Sequence, residues 1–205
     1  LSEGAYLGPR AVAWLYDRAA GRYDRIKNPE LADDAHHLAR PLLLMLEEVA
    51  APRLLDVGTG TGRLPLALLA QRSFRGRIVG ADRSPGMLAQ AQRKLGHSSG
   101  RCGLALADAE HLPFQAAQFD AVTCLEVLEF TARPRHTLCE LSRVLKPGGV
   151  LVVTNRVGWD ALWYPGRLCG RGGVEAALRL IGAEVLESER WQTYYDLIWA
   201  RKVGA

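Results

Sequence analysis

From Leu54 onward the chain alternates between two hydrophobic rhythms. Short apolar runs recur at Leu54-Leu55-Asp56-Val57, Arg77–Asp82, Leu104–Ala107, Phe119–Leu125 and Val150–Thr154. Between them, apolar residues return at helical spacing: Leu64, Ala67 and Leu68, then Met87, Ala91 and Leu95, then Leu138, Leu141, Val144 and Leu145. Runs of the first kind fit strands buried on both faces, and stretches of the second kind fit helices laid against them. Their alternation predicts an α/β fold with a mostly parallel, Rossmann-like sheet and helices on both faces. Val174, Ala177, Leu178 and Ile181 mark a last helix, after which Ala183–Trp191 and Tyr194–Lys202 read as an antiparallel β-hairpin, giving seven strands. Ahead of the first strand, residues 6–50 are helical in character, with Ala11–Ala20 and Leu31–Val49 divided at Asn28-Pro29.

Residues 155–173 keep neither rhythm, and a loop of this length in a compact domain is usually a lid or a substrate loop. Its Trp159, Trp163 and Tyr164 either anchor it to the core or form an apolar substrate mouth, and Arg156, Arg167 and Arg171 suit an anionic group. The pattern contains no repeat and no linker, so residues 1–205 read as one domain, with residues 1–50 as helices covering a ligand site.

A chain of 205 residues with 48% hydrophobic and 23% charged residues is ordinary for one globular domain. No apolar run approaches the roughly 18 residues of a spanning helix. The chain starts at Leu1 rather than a methionine, which leaves room for a preceding segment. Net charge is +4 with scattered arginines, which fits a solvated surface and not a nucleic-acid footprint. Cys102, Cys124, Cys139 and Cys169 form no metal-binding spacing, so no metal is expected. Cys124 in a strand and Cys139 in a helix read as small buried hydrophobes, and the set suits a reducing, cytoplasmic compartment.

The chemistry concentrates after the first strand. Gly58, Gly60 and Gly62 stand at alternate positions between a strand and a helix, so the turn can adopt positive φ and a ligand can lie against bare backbone. The helix that follows offers free N–H groups to an oxygen-rich or negative ligand. A dinucleotide fingerprint fails, because Arg63 or Pro65 occupies the place of the third glycine in either register.

The run Asp56-Val57-Gly58-Thr59-Gly60-Thr61-Gly62 resembles the first motif of the class I S-adenosylmethionine (SAM)-dependent methyltransferases, and the likeness extends over about residues 10–202. Asp82-Arg83-Ser84-Pro85-Gly86-Met87-Leu88, Asp108-Ala109-Glu110-His111-Leu112-Pro113-Phe114 and Leu141-Ser142-Arg143-Val144-Leu145-Lys146-Pro147-Gly148-Gly149 are similar to later motifs of its type 11-like, small-molecule members. This resemblance implies that Asp56, Gly58, Thr59, Gly60, Gly62 and Arg63 surround the methionine part of SAM. It further implies that Asp82, with Arg83 and Met87 nearby, accepts the ribose hydroxyls, and that Asp108 and the Ala109 backbone read adenine. Leu125 and Glu126 would face the methyl group. Glu110 and His111 face solvent or cover the ligand edge, with His111 a candidate base. Tyr23, in a segment similar to the N-terminal segment of quinone C-methyltransferases and their kin, either closes over the methionine end or packs on a helix.

The implied reaction is direct in-line methyl transfer from SAM to a small-molecule acceptor, leaving S-adenosylhomocysteine (SAH). The competing reading is a non-catalytic SAM-binding regulatory or partner protein. No prolines follow the fourth strand at Cys124-Leu125-Glu126-Val127, and no cysteine has a proline neighbour, which argues against methylation of nucleic-acid bases. A paired-acid grip on arginine by Glu126 and Glu129 is discounted on spacing. The acceptor atom stays open, and the expected state is monomer or homodimer.

Overall fold

The computed structural model describes residues 9–22, 31–96, 100–164 and 166–204. Seven strands form one sheet: β1 Arg53–Val57, β2 Arg77–Asp82, β3 Cys102–Leu106, β4 Phe119–Cys124, β5 Leu145–Arg156, β6 Ala183–Trp191 and β7 Tyr195–Lys202. Their spatial order is β3-β2-β1-β4-β5-β7-β6. Strands β1 to β5 pair in parallel, while β7 runs antiparallel between β5 and β6. The expected seven-stranded sheet with a closing hairpin is therefore present. Chain order reverses on either side of β1, the place where open α/β sheets bind ligands at the carboxyl ends of their strands.

Period-two alternation splits the core onto both faces. Leu55 and Val57 of β1 pack with Val122, with Leu138 and Leu141 of α6 (Pro134–Val144), and with Val174 and Leu178 of α7 (Gly173–Leu180). Leu54, on the opposite face, packs with Leu64 and Leu68 of α4 (Arg63–Leu69) and with Leu38 and Leu42. Those last two come from an N-terminal pair, α2 (Leu31–Asp34) and α3 (Arg40–Met45), joined through a π-helical turn over Ala35–Ala39. Among the described residues the other α-helices are α1 (Pro9–Ala19) and α5 (Pro85–Leu95). Ser84 caps α5 by accepting the Met87 N–H at 3.1 Å, and Pro85 fills its first turn.

Three local readings change. The helix expected through Leu145 ends at Val144, and β5 starts at Leu145 and not at Val150: Lys146-Pro147-Gly148-Gly149 form a bulge within it, and its pairing jumps from Phe119↔Leu145 to Ala121↔Val150. Lys146 is tied there by its Nζ to Asp120 Oδ1 at 2.7 Å, while Asp120 Oδ2 accepts the Arg53 N–H at 2.8 Å. Residues 155–173 are more ordered in pattern than expected, since Asn155 and Arg156 belong to β5 and a 3-10 helix covers Trp159–Trp163. Trp159 anchors nothing, being 87% exposed, whereas Tyr164 is buried. Cys139 is exposed and only Cys124 of the pair is a core residue. No described helix is long and apolar enough to cross a membrane.

Candidate functional site

The strand register brings the chemistry to one rim. Val57 pairs with Ala81 on one side and Cys124 on the other, so the segments after β1, β2 and β4 leave the sheet side by side. They wall a single cavity with Ala107, Asp108, Ala109 and Glu110 after β3, and with Val12 and Tyr16 of α1.

The glycine turn hugs its neighbours. Gly58 and Thr59 donate their N–H groups to the Ala81 carbonyl at 2.8 and 3.0 Å. Gly58 has φ +74° and a Cβ there would lie 2.1 Å from Val127 Cγ2, so glycine is required. Gly60, at φ +54°, lines the cavity with nothing closer than the Gly58 carbonyl at 4.0 Å beside its missing side chain. That open space is the cradle a close-lying ligand needs. Gly62 behaves differently: it is not among the cavity's lining residues, and a Cβ there would stand 3.0 Å from Leu95 Cδ1 and 3.3 Å from Ala91 Cβ, so its absence lets the start of α4 pack closely on α5. The role expected of it beside a ligand is corrected to helix packing.

Asp82, at the end of β2, and Asp108, after β3, are held by backbone donors, and Asp56, within β1, by a side-chain hydroxyl. Asp82 Oδ2 accepts the Gly60 N–H and Oδ1 the Ser84 N–H, both at 2.8 Å. A carboxylate has about four acceptor positions, so even with the Arg83 backbone N–H also acting on it, capacity remains for the cavity it lines. Burial raises the Asp82 pKa against these donors. Asp56 is buried too, its pKa likewise raised by burial and eased by a 2.7 Å bond from Thr123 Oγ1. Asp108 Oδ1 accepts the Glu110 N–H at 3.0 Å, and its Oδ2 faces Arg83 at 3.5 Å. Thr59, Met87, Ala109 and Leu125 also line the wall.

A second acidic group surrounds Arg63. Its Nε lies 2.9 Å from Asp34 Oδ2, its Nη1 lies 3.6 Å from Glu126 Oε1, and its guanidinium sits 5.3 Å over the Trp191 ring. Asp34 is 3% exposed, and burial pushes its carboxyl up to about 6 despite Arg63, with Asp33, Glu126 and Asp56 adding repulsion. Sequence reading missed Asp34, although a signal exists: it shares the i, i+4 stripe of Leu38, Leu42 and Leu46, where an acid is out of place. Glu126 holds φ +57°, a left-handed conformation costly for a side chain of this kind, and donates its N–H to Thr154 Oγ1 at 2.6 Å. Strain of that sort persists where the surroundings over-determine it, often at functional sites.

Other candidates fall outside the cavity or serve it differently. His111 is exposed, off the wall, with its ring 5.6 Å from that of His136, so the structure does not place it as a base. Glu110 lines the wall but does not face solvent: it accepts the Ala132 and Arg133 N–H groups at 2.6 and 3.0 Å and pairs with Arg133 Nε at 2.9 Å. Burial opposes its ionisation, yet these donors hold its pKa below the ordinary carboxylate range. Glu129 is fully enclosed, accepting from the Tyr195 hydroxyl at 2.6 Å beside Arg156 at 3.4 Å, so it is not half of an open acid pair. Tyr23 lies outside the described residues. Tyr16, one helical turn past Val12, lines the cavity, with Tyr16 edge-on to Phe130 at 5.9 Å and Phe130 edge-on to Tyr164 at 6.1 Å. No described residue of 155–173 lines the cavity; that segment reaches it through Tyr164 against Phe130 and the Arg167 guanidinium on the Thr131 carbonyl.

A seven-stranded sheet of this order, closed by an antiparallel hairpin and with a glycine turn after its first strand, is the Rossmann-like architecture of solved SAM-dependent methyltransferases. Residues 55–153, just under half of the chain, match the family described as the methyltransferase domain. Over 146 residues it is 38% identical to a demethylmenaquinone methyltransferase of Clavibacter sepedonicus, an alignment covering 71% of this chain and 58% of that protein. The chain thus spans less than two thirds of that relative's length. Among solved structures it resembles the CurJ carbon methyltransferase, with TM-score 0.75, 19% identity, and coverage of 96% and 61% of the two chains. It also resembles the [4+2]-cyclase SpnF, with TM-score 0.68, 24% identity, and coverage of 82% and 81%. These structural likenesses are likenesses of fold.

Proposed function

We propose that the protein binds SAM and transfers its methyl group to a small, apolar, ring-containing acceptor of the quinol type. The observation that carries the reading is Asp82, fixed by the Gly60 and Ser84 amides beside an unfilled glycine cradle, with acceptor capacity left toward the cavity. Paired ribose hydroxyls are the donors such a carboxylate suits. Asp108 and the Ala109 backbone suit the adenine edge. Asp34, Asp56 and Glu126 outnumber the one guanidinium of Arg63 among them, which favours a ligand end carrying positive charge, as the sulfonium and ammonium of SAM do.

When bound, SAM supplies an activated methyl group on a good leaving group. The protein's part is alignment and exclusion of water, and alignment can contribute about 7–11 kcal/mol. Val12, Tyr16, Val127 and Phe130 give the cavity an apolar, aromatic stretch suited to a flat ring. The name of the Clavibacter relative supports a quinol-type acceptor. Methylation at a ring carbon releases a proton from that carbon, and Glu126, strained into the cavity wall, is the carboxylate we assign to take it.

Incubation with methyl-labelled SAM and a demethylated naphthoquinol tests this. Label in the organic phase, with SAH formed in equal amount, is the expected result. Tight SAM binding with no label in this or any metabolite extract would favour a non-catalytic binding protein.

A further inference from the structure

We infer that Asp17 is a positioning residue: it latches α1 onto the start of α5 and so sets how long an adenosyl ligand stays in the cavity. This rests on the SAM-binding reading above. Asp17 Oδ1 accepts two hydrogen bonds from the far side of the site, one from Ser84 Oγ at 2.7 Å and one from the Gly86 N–H at 2.6 Å. The first turn of a helix has N–H groups without intrahelical partners, and a carboxylate there is favoured by the helix dipole as well. Ser84 meets the Met87 N–H from within the chain segment, and Asp17 meets the Gly86 N–H from another helix.

Close approach is built into the sequence at Gly86. A Cβ at that position would stand 2.7 Å from Asp17 Oδ1, 3.1 Å from its carbonyl oxygen and 3.3 Å from its Cα, so any larger residue pushes α1 away. The latch is continuous with the ligand site. Ser84, which donates its hydroxyl to Asp17, donates its N–H to Asp82 Oδ1, and Asp82 Oδ2 receives the Gly60 N–H. The same α1 lends Val12 and Tyr16 to the cavity wall, and Tyr16 rests against Phe130. A ligand enclosed under α1 therefore leaves when α1 lifts, and the two bonds to Asp17 must break for that.

Stopped-flow release of SAH tests the latch. Asp17→Ala is expected to release SAH about tenfold faster, the scale of two hydrogen bonds of modest net strength. Asp17→Asn keeps an acceptor oxygen and should stay within about twofold of the unaltered protein, a rescue that loss of charge alone would not allow. Gly86→Ala should match Asp17→Ala, and the double variant should fall short of the product of the two factors, because both open one contact. Hydrogen exchange without ligand supplies a second arm: α1 amides should exchange about tenfold faster in Asp17→Ala, with β1 and β4 amides unchanged. If the unaltered protein binds SAH and Asp17→Ala neither speeds its release nor loosens α1, the latch is overturned. If the unaltered protein takes up no SAH, the SAM-binding reading fails and ligand retention with it, and the exchange arm decides whether Asp17 holds α1.

Discussion

Asp34 keeps a charge where burial disfavours it, and Arg63 offsets only part of that cost. Its carboxyl is raised from 3.8 to about 6, so between those values the folded protein holds more protons than the unfolded chain. The stability tied to that proton is complete below about 3.8 and is lost as pH rises through about 6. Asp34→Asn, neutral at every pH, removes this dependence. Melting curves followed by circular dichroism should show the variant gaining on the unaltered protein from pH 4 to pH 7. A gap that stays constant over that range would count against the assignment. Gly60 offers a second test, because its missing side chain borders open cavity. Gly60→Val should reduce SAM affinity by about 100-fold or more while leaving the sheet intact, since the valine occupies ligand space and, at φ +54°, strains the turn.

The bulge in β5 has a definite energetic signature. Gly149 faces Leu145 Cδ1 at 2.6 Å and the Asp120 and Lys146 carbonyls at 2.9 Å each, measured from where a Cβ would sit. Gly149→Ala should therefore cost about 1–3 kcal/mol by overpacking. For a chain of this size that lowers the melting temperature by roughly 2–12 °C, checked by scanning calorimetry. The same segment shows what hydrophobic pattern conveys. Strand β2, Arg77–Asp82, was legible to the residue because a buried parallel strand is a continuous apolar run. The start of β5 was not, since Lys146-Pro147-Gly148-Gly149 carries helix-stopping residues and only the pairing with β4 shows that the chain is already extended. Likewise Asp56, Asp82 and Asp108 stand out because their motifs resemble those of a known family, but nothing singled out Tyr16, because which face of α1 meets the cavity depends on packing and not on local composition. Asp34 hid for a similar reason: its partner Arg63 lies 29 positions away in sequence.

At the scale of the molecule, one cavity gathers residues from α1, from the ends of β1 to β4 and from the 3-10 turn at Leu128–Phe130. A ligand filling it adds contacts to every one of these segments at once. Ligand present at 100 times its Kd stabilises by about 2.7 kcal/mol. SAH should accordingly raise the melting temperature by about 5–10 °C. NAD should shift it little, because the glycine turn lacks the third glycine of a dinucleotide site. A larger shift with NAD would reassign the cavity.

The central claim, that Asp82 and the glycine cradle grip an adenosyl amino acid, is tested most directly by calorimetric titration of SAH into the unaltered protein and Asp82→Ala. We expect one-to-one binding by the former and affinity lower by about 100-fold or more in the latter, as each hydrogen bond to a charged acceptor contributes about 1.5–3 kcal/mol. Equal affinity in the two proteins, or no heat of binding in the unaltered one, would contradict the account.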